Sequence, residues 1–296
     1  MSSRVKALAI IGSHLQELYL DEARILFPFT DKILVINSRT FFKNIFRNVI
    51  SLLRHKVPFS RRVIYLGDPF SNLGKILVLS THHHKVIILQ DGGDSINAFH
   101  SVSSKLTVSR HSDKRISLLT RAYSRKLARL SEAGRVKWVS CVEFQSPSSQ
   151  EVTIHSFSEL QRRQSRTLKI EGNVVIGSAL ASEHFICETW YFNWLDEVIE
   201  KGSIFLPHRR ENPKFKAFAI SLGAEIKEEF NSVEVFAAQL KKAPAFCLLP
   251  TTPALTIPKI APPDCKLAIT RIPDHAWTTK ASATLRQNVA FIESML

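Results

Sequence analysis

The sequence predicts an α/β protein with two successive domains, each built on a parallel sheet. Short apolar runs of strand length alternate with helical patterns, and this alternation occurs twice, before and after a Ser- and Gln-rich stretch at residues 145–166. Such alternation is typical of βαβ units, whose strands pair in parallel. The chain has 296 residues, of which 45% are hydrophobic, and this suffices for two cores of medium size. We therefore expect two Rossmann-like domains, with the polar stretch as the linker between them.

The first α/β set lies in the N-terminal half of the chain. Its apolar runs predict buried strands at residues 7–12, 33–36, 63–66 and 86–89. Apolar residues at helical spacing predict helices at residues 13–23, 41–53, 72–81 and 116–130. His82, His83 and His84 are predicted to end the third of these helices. Because adjacent side chains point in different directions, we do not expect the three histidines to bind one metal ion.

The second α/β set follows the polar stretch and repeats the same pattern. Its apolar runs predict strands at residues 174–177, 203–206, 224–226 and 245–249. Helices are predicted at residues 188–201, 212–222 and 232–242, and a closing helix at residues 281–296. The predicted organisation is an N-terminal domain at residues 1–160, a C-terminal domain at residues 161–275 and a C-terminal helical segment at residues 276–296 that closes back on the fold.

The net charge of +14 favours an anionic partner, such as a nucleic acid, a nucleotide-sugar or an acidic membrane. Much of this charge is concentrated between residues 101 and 137. Nothing near the N-terminus resembles a signal peptide, and no apolar stretch is long enough to cross a bilayer. The four cysteines are dispersed and form no Cys-x-x-Cys pair, so reduced thiols are expected rather than disulfides or a zinc site. These observations predict a cytoplasmic protein.

Three polar segments stand out because each directly follows an apolar run. Sites in open α/β sheets form at the carboxyl ends of the parallel strands, so we expect these segments to carry the chemistry. An acid can deprotonate a sugar hydroxyl, while a histidine, arginines and paired hydroxyls can hold a leaving phosphate. The residues concerned are Gln90, Asp91 and Asp94 in the first segment, His208, Arg209 and Arg210 in the second, and Thr251 and Thr252 in the third.

Each polar segment also has a purely structural interpretation. Asp91 could cap the following helix, the turn at His208 could be an exposed basic turn paired with Glu211, and the two threonines could form an N-cap. The sequence does not separate phosphate binding from capping at the threonines, because both use the same geometry. The chain has no Gly-x-Gly-x-x-Gly segment and no Walker lysine loop, which argues against dinucleotide oxidoreductases and P-loop NTPases.

Five short segments of the chain form an ordered set. They contain Ser13 and Gln16, then Gln90, Asp91 and Gly92, then Gly177, Ser178 and Glu183, then His208 to Glu211, and finally Thr251 and Thr252. In this order they resemble motifs of bacterial sialyltransferases of the GT-B type, especially those that build lipooligosaccharide and capsular polysialic acid. GT-B enzymes have two Rossmann-like domains that face a cleft. Three positions depart from the family pattern: Gln90 replaces the first acid of an acid-acid-Gly motif, Arg209 replaces the proline of a His-Pro motif, and His14 replaces a proline of the first loop.

The resemblance implies an inverting enzyme that transfers sialic acid from CMP-sialic acid to a bacterial surface glycan, without an essential metal or other cofactor. It implies that Asp91 is the catalytic base, or Asp94 in view of the change at Gln90. It also implies that His208 contacts the CMP phosphate and assists its departure. Thr251 and Thr252 would bind the same phosphate. The residues expected to contact the nucleotide at the start of the second domain are Gly177, Ser178 and Glu183.

Two alternatives remain beside this interpretation. The departures at Gln90 and Arg209 allow CMP-Kdo or another nucleotide-sugar as the donor. The charge allows a non-catalytic protein that binds a polyanion, although no nucleic-acid motif is present and no nucleic-acid partner is expected. The helices predicted at residues 41–53 and 116–130 mix apolar and basic residues, so they could attach the protein to the anionic inner face of the cytoplasmic membrane.

Overall fold

The structure is a computed structural model of the chain, and it is α/β with two parallel sheets, as the sequence predicts. The chain divides into two compact units, Met1–Glu159 and Leu160–Leu296. The described residues are 7–11, 20, 33–37, 62–80, 83–89, 93–103, 106–108, 117–141, 151–230, 232–242 and 244–296.

The first unit contains a six-stranded parallel sheet in the order β2-β1-β3-β4-β5-β6. The apolar residues of its central strands are buried, as near-continuous runs of Ile, Val and Leu require. The strands are β1 Ala7–Ile11, β2 Ile33–Asn37, β3 Arg62–Leu66, β4 His83–Leu89, β5 Val136–Ser140 and β6 Glu151–Ile154. The described helices are α1 Asn72–Ser80, α2 Gly93–Ser103 and α3 Leu118–Glu132.

Two predictions for this half of the chain are wrong. The stretch at residues 145–166 is not wholly a linker, because it contains the edge strand β6 and the short helix α4 Ser158–Arg163. The histidine run does not end a helix, because His83 is the first residue of β4 and pairs with Arg62 of β3. Polar composition misled the prediction at the edge strand, where the pattern of burial is weak. The helices predicted at residues 13–23 and 41–53 lie outside the described residues, Leu20 apart.

The second unit contains a five-stranded parallel sheet in the order β11-β10-β7-β8-β9. This order is that of doubly wound nucleotide-binding sheets, in which the strand order reverses beside the first strand of the unit, here β7. The strands are β7 Val174–Ile176, β8 Ile204–Leu206, β9 Glu225–Ile226, β10 Ala245–Leu248 and β11 Lys266–Ile269. The helices are α5 Ala179–Ser182, α6 Glu188–Val198, α7 Pro213–Ser221, α8 Val233–Gln239, α9 Thr252–Ile260 and α10 Ala283–Ser294.

The core of the second unit is aromatic. Tyr191 and Trp194 of α6 stack with ring centroids 5.3 Å apart, and Tyr191 meets Phe215 of α7 edge to face. The C-terminal helix α10 belongs to this core through Val289. The fold therefore fixes α6 and α7 firmly against the carboxyl end of β7.

Candidate functional site

The strand register brings the segments that follow β7, β8 and β10 to one edge of the second sheet. Val175 of β7 pairs with Cys247 of β10 on one side and with Phe205 of β8 on the other. The chain leaves β7 at Gly177, β8 at Pro207 and β10 at Leu249, all in the same direction because the strands are parallel. The order of strands reverses between β7 and β10, which is where doubly wound sheets bind their ligands.

Gly177 allows the loop after β8 to pack against the end of β7. A Cβ atom at this position would lie 2.3 Å from Oε2 of Glu211 and 2.9 Å from the backbone nitrogen of His208. The Gly177 amide donates to the carbonyl of Leu206 at 2.8 Å, which extends the pairing of β7 and β8 by one step. The absence of a side chain at Gly177 is therefore what lets a carboxylate approach the strand end.

Glu211 is a buried carboxylate, and it fixes the loop at residues 207–211. Its Oε2 accepts the backbone N–H of His208 at 3.2 Å, and its Oε1 accepts the hydroxyls of Tyr191 at 3.3 Å and Ser182 at 3.5 Å. The Tyr191 oxygen in turn accepts the Ser178 amide at 3.0 Å. One side chain thus joins β7, α5, α6 and the loop after β8. Burial raises the pKa of Glu211 to about 7, although these hydrogen bonds oppose the change.

His208 presents a neutral imidazole. Its Nδ1 accepts the backbone N–H of Arg210 at 3.1 Å, so the proton of the neutral ring is on Nε2. Burial, together with the positive charges of Arg210 and Arg209, lowers the pKa of His208 to about 4. Among the described residues, Nε2 has no hydrogen-bond partner, so it is available to donate to a ligand.

Arg209 and Arg210 are both exposed beside this imidazole. The Arg210 guanidinium forms an ion pair with Glu183, the residue that ends α5. Three residues predicted for the site, Glu183, His208 and Arg210, are therefore neighbours in the fold. The interpretation of this turn as basic residues paired with Glu211 does not fit the geometry, because Glu211 accepts from neutral groups and Arg210 pairs with Glu183.

Ser178 has a structural part in the site. Its side chain caps the short helix α5 by accepting the Leu180 amide at 3.2 Å, and its own amide is bound to Tyr191. Because the residue is buried, these two contacts fix the direction in which the chain leaves β7.

Thr251 occupies the N-cap position of α9, but its side chain does not cap the helix. Its hydroxyl instead donates to the carbonyl of Leu249 at 3.2 Å. In the first turn of α9, Pro253 has no N–H and the Ala254 amide is bonded to the Thr251 carbonyl at 2.9 Å. This leaves the amide and hydroxyl of Thr252 without an acceptor within the described residues. Both groups lie at the positive end of a helix, where an anion is stabilised.

The candidate residues of the first unit are mostly outside the described part of the chain. This is so for Ser13, Gln16, Gln90 and Asp91. Asp94 lies in the first turn of α2. Asp68, which belongs to none of the matching segments, follows β3 at the sheet edge where β4 also ends, because Leu66 is paired with Ile88. Its Oδ1 accepts the Phe70 amide at 2.9 Å.

The main residues to which the sequence assigns no role in the site are Glu211, Tyr191 and Ser182. Glu211 enters the sequence analysis only as the last residue of a matching segment and as a possible partner for a basic turn. No sequence pattern indicates that Glu211, five residues after the end of β8, is buried. The pattern of α6 predicts only that Tyr191 is an ordinary core residue. Within the described ranges, no three metal-ligating side chains come together, and no helix is both long and apolar enough to span a bilayer.

The candidate groups that follow β8 and β10 at this sheet edge are an imidazole N–H, two arginines and the amide and hydroxyl of Thr252, and a buried carboxylate fixes the loop after β8. Such a set of donors suits a phosphate-bearing ligand. Comparisons of the chain with protein-family models, with curated proteins and with solved structures found no match.

Proposed function

We propose that this protein is an inverting glycosyltransferase of the GT-B type, which transfers sialic acid from CMP-sialic acid to a hydroxyl group of a bacterial surface glycan. One observation carries the proposal. The donors of His208 and Thr252 follow the two strands that flank β7, at the sheet edge beside the reversal of strand order. Nucleotide phosphates bind to doubly wound sheets at this position.

The chemistry of the donors fits a leaving phosphate. In the transfer, the bond between the anomeric carbon and a phosphate oxygen breaks while the acceptor oxygen bonds to that carbon. The phosphate gains negative charge as the bond breaks, so donors that already point at it stabilise the transition state more than the ground state. The Nε2–H of His208 and the Thr252 groups would act on this charge, and Arg209 would add a charge-assisted contact.

The acceptor hydroxyl must lose its proton during the attack, and a carboxylate is the expected base. We propose Asp91 for this role, with Asp94 as the other candidate. The choice of cytidine and of sialic acid rests on the resemblance of the five motifs, and CMP-Kdo is the first alternative donor. No step of this scheme requires a metal ion.

The direct test is release of CMP from CMP-sialic acid by the purified protein, with and without a lipooligosaccharide acceptor. We expect His208→Ala to lower turnover at least a hundredfold, the order found for loss of one donor to a developing anion. His275→Ala is the matched control, because His275 is an exposed histidine of the same unit. Absence of CMP release from every CMP-sugar, for wild type and for Asp91→Ala alike, would refute the proposal.

A donor panel separates the alternatives for the sugar and the base. Thermal shift with CMP-sialic acid, CMP-Kdo and UDP-sugars should show the largest rise in melting temperature for the true donor, because a ligand that binds only the folded state stabilises it by mass action. We expect Asp91→Ala to abolish turnover while it leaves this shift unchanged. A turnover defect in Asp94→Ala instead would transfer the role of base to Asp94.

A basic stripe on α3 supports the proposed attachment to an anionic membrane. Arg121, Arg125 and Arg129 are exposed at intervals of four residues, so they lie on one face, and Leu118 at the start of the helix is 83% exposed. None of the ion pairs between described residues involves these arginines. Each basic residue near an anionic bilayer contributes about 1 kcal/mol, and an exposed leucine can enter the headgroup region.

Vesicle flotation tests this surface. We expect binding to vesicles that contain phosphatidylglycerol, no binding to phosphatidylcholine alone, and loss of binding when the three arginines are changed to glutamate. The matched control carries the same change at three exposed basic residues of the second unit, Arg166, Lys169 and Arg271. Retention on random DNA at physiological salt, with no vesicle binding, would instead favour a polyanion-binding protein.

A further inference from the structure

A buried carboxylate without a cationic partner lies directly behind the candidate phosphate site. Glu211 is only 6% exposed, and its Oε2 is bonded to the backbone N–H of His208, the residue that would donate to the phosphate. Among the described residues, no ion pair joins this carboxylate to a lysine, an arginine or a histidine. A buried carboxylate is thus one hydrogen bond from the backbone of the residue that would bind the anion.

The groups that face Glu211 are neutral or already paired. Its hydrogen-bond donors are two hydroxyls and one amide. Tyr191 lies on α6 with its pKa raised by burial and by Glu211, so it stays protonated. Lys216 of α7 acts only at longer range and is paired with Glu228, while Arg210 is paired with Glu183. A bound phosphate beside His208 would therefore raise the energy of the ionised Glu211, and Arg209, which would contact the same phosphate, would offset only part of this change.

We infer that binding of the nucleotide phosphate at this turn is coupled to uptake of a proton by Glu211. The inference rests on the proposed function, since it takes the phosphate to bind beside His208. Protonation removes the like charge and leaves the hydrogen-bond network able to adjust, because the hydroxyls of Tyr191 and Ser182 can accept as well as donate. The pKa of Glu211, raised to about 7 by burial, places this exchange near neutral pH.

The expected pH dependence follows from linkage. If the bound phosphate raises the pKa of Glu211 by about one unit, the affinity falls about eightfold between pH 6 and pH 9. The direction is fixed by the sign of the charges, because a proton that binds more tightly in the complex strengthens binding as the pH falls. In the protein without ligand the pKa of His208 is about 4, below this range, and Glu211→Gln retains His208, so comparison with this variant isolates the contribution of Glu211.

Isothermal titration calorimetry with CMP measures the effect, from pH 6 to pH 9 and in buffers of different ionisation enthalpy. The CMP phosphate also titrates near pH 6, so Glu211→Gln supplies the baseline for the ligand. Sulfate, which keeps its charge over the whole range, is the second probe. Glu234→Gln is the matched control, because Glu234 is a buried carboxylate of α8 that accepts the Thr256 hydroxyl.

We expect wild type and Glu234→Gln to take up more protons per bound CMP than Glu211→Gln does. The expected difference is a fraction of one proton. Ser182→Ala removes one donor to the carboxylate, so it should move the midpoint of the pH dependence upward. This variant also tests the inference if Glu211→Gln does not fold.

Equal proton uptake by wild type and Glu211→Gln overturns the inference and leaves the proposed function standing. Proton-coupled binding of sulfate without binding of CMP refutes the proposed function, and it overturns the inference as stated for a nucleotide phosphate. Failure of both probes to bind at any pH refutes both.

Discussion

The burial of Glu211 makes a quantitative prediction about stability. In wild type its pKa is raised by burial from about 4.5 to about 7, so the folded chain binds a proton more tightly than the unfolded chain does. The associated stability is complete below about pH 4.5 and is lost as the pH rises to 7. At 1.36 kcal/mol per pKa unit, the whole change is about 3 kcal/mol. Glu211→Gln keeps the shape of the side chain without a charge, so it should not show this loss.

The assay is urea unfolding at pH 5, 6, 7 and 8, followed by tryptophan fluorescence. Three of the four tryptophans, Trp190, Trp194 and Trp277, belong to the second unit, so the signal reports mainly on the part that holds Glu211. The free energy of unfolding of wild type relative to Glu211→Gln should fall by about 2–3 kcal/mol between pH 5 and pH 8. Glu234→Gln leaves Glu211 in place, so it should keep the pH trend of wild type.

A difference between wild type and Glu211→Gln that stays constant with pH would refute the reasoning. It would mean that the three donors to the carboxylate compensate fully for its burial, and that Glu211 is ionised throughout this range. The inference of proton uptake would then lose its physical basis.

Three further substitutions test the geometry of the site. Gly177→Ala should destabilise the protein by about 1–3 kcal/mol in urea unfolding, because its Cβ would overlap Glu211 Oε2, whereas Gly134→Ala, with no atom within 4 Å of its Cβ, should cost only the strain of its positive φ. Tyr191→Phe should cost about 1–3 kcal/mol, since the buried Ser178 amide loses its acceptor, and equal stability of the two proteins would exclude that role for the hydroxyl. Thr252→Val should weaken CMP binding about tenfold by calorimetry with no change in melting temperature, and unchanged affinity would remove the threonine from the site.

Much of the fold could be predicted from the pattern of apolar residues. The strands at 174–176 and 204–206 and the helix at 213–221 agree closely with prediction, because their residues are buried on the faces that the periodicity indicates. Helix α9 was not predicted, since Pro253 and Pro258 interrupt its helical pattern. Pro253 is tolerated because it lies in the first turn of the helix, where the backbone N–H would form no intrahelical hydrogen bond. Pro258 lies on the exposed face of the helix.

The candidate site could be predicted only in part. The positions of His208 and Thr252 at strand ends follow from the order of apolar runs and polar segments in the sequence. The state of these groups does not, because the tautomer of His208 depends on a bond to the backbone of Arg210, and the free Thr252 amide depends on how Thr251 is turned. Local conformation decides both, and a sequence pattern does not contain it.

The sequence by itself determined that the chain forms two parallel α/β sheets and that polar residues follow their strands, because burial of alternating apolar segments leaves few other folds. The tertiary structure alone decided that β8 and β10 both neighbour β7, which brings segments more than forty residues apart to one edge. It also decided that Glu211 is buried, because only the missing side chain of Gly177 leaves room for a carboxylate there. The burial of a carboxylate, and with it the change in its pKa, depends on residues that are distant in the sequence. The packing of the whole unit therefore sets both.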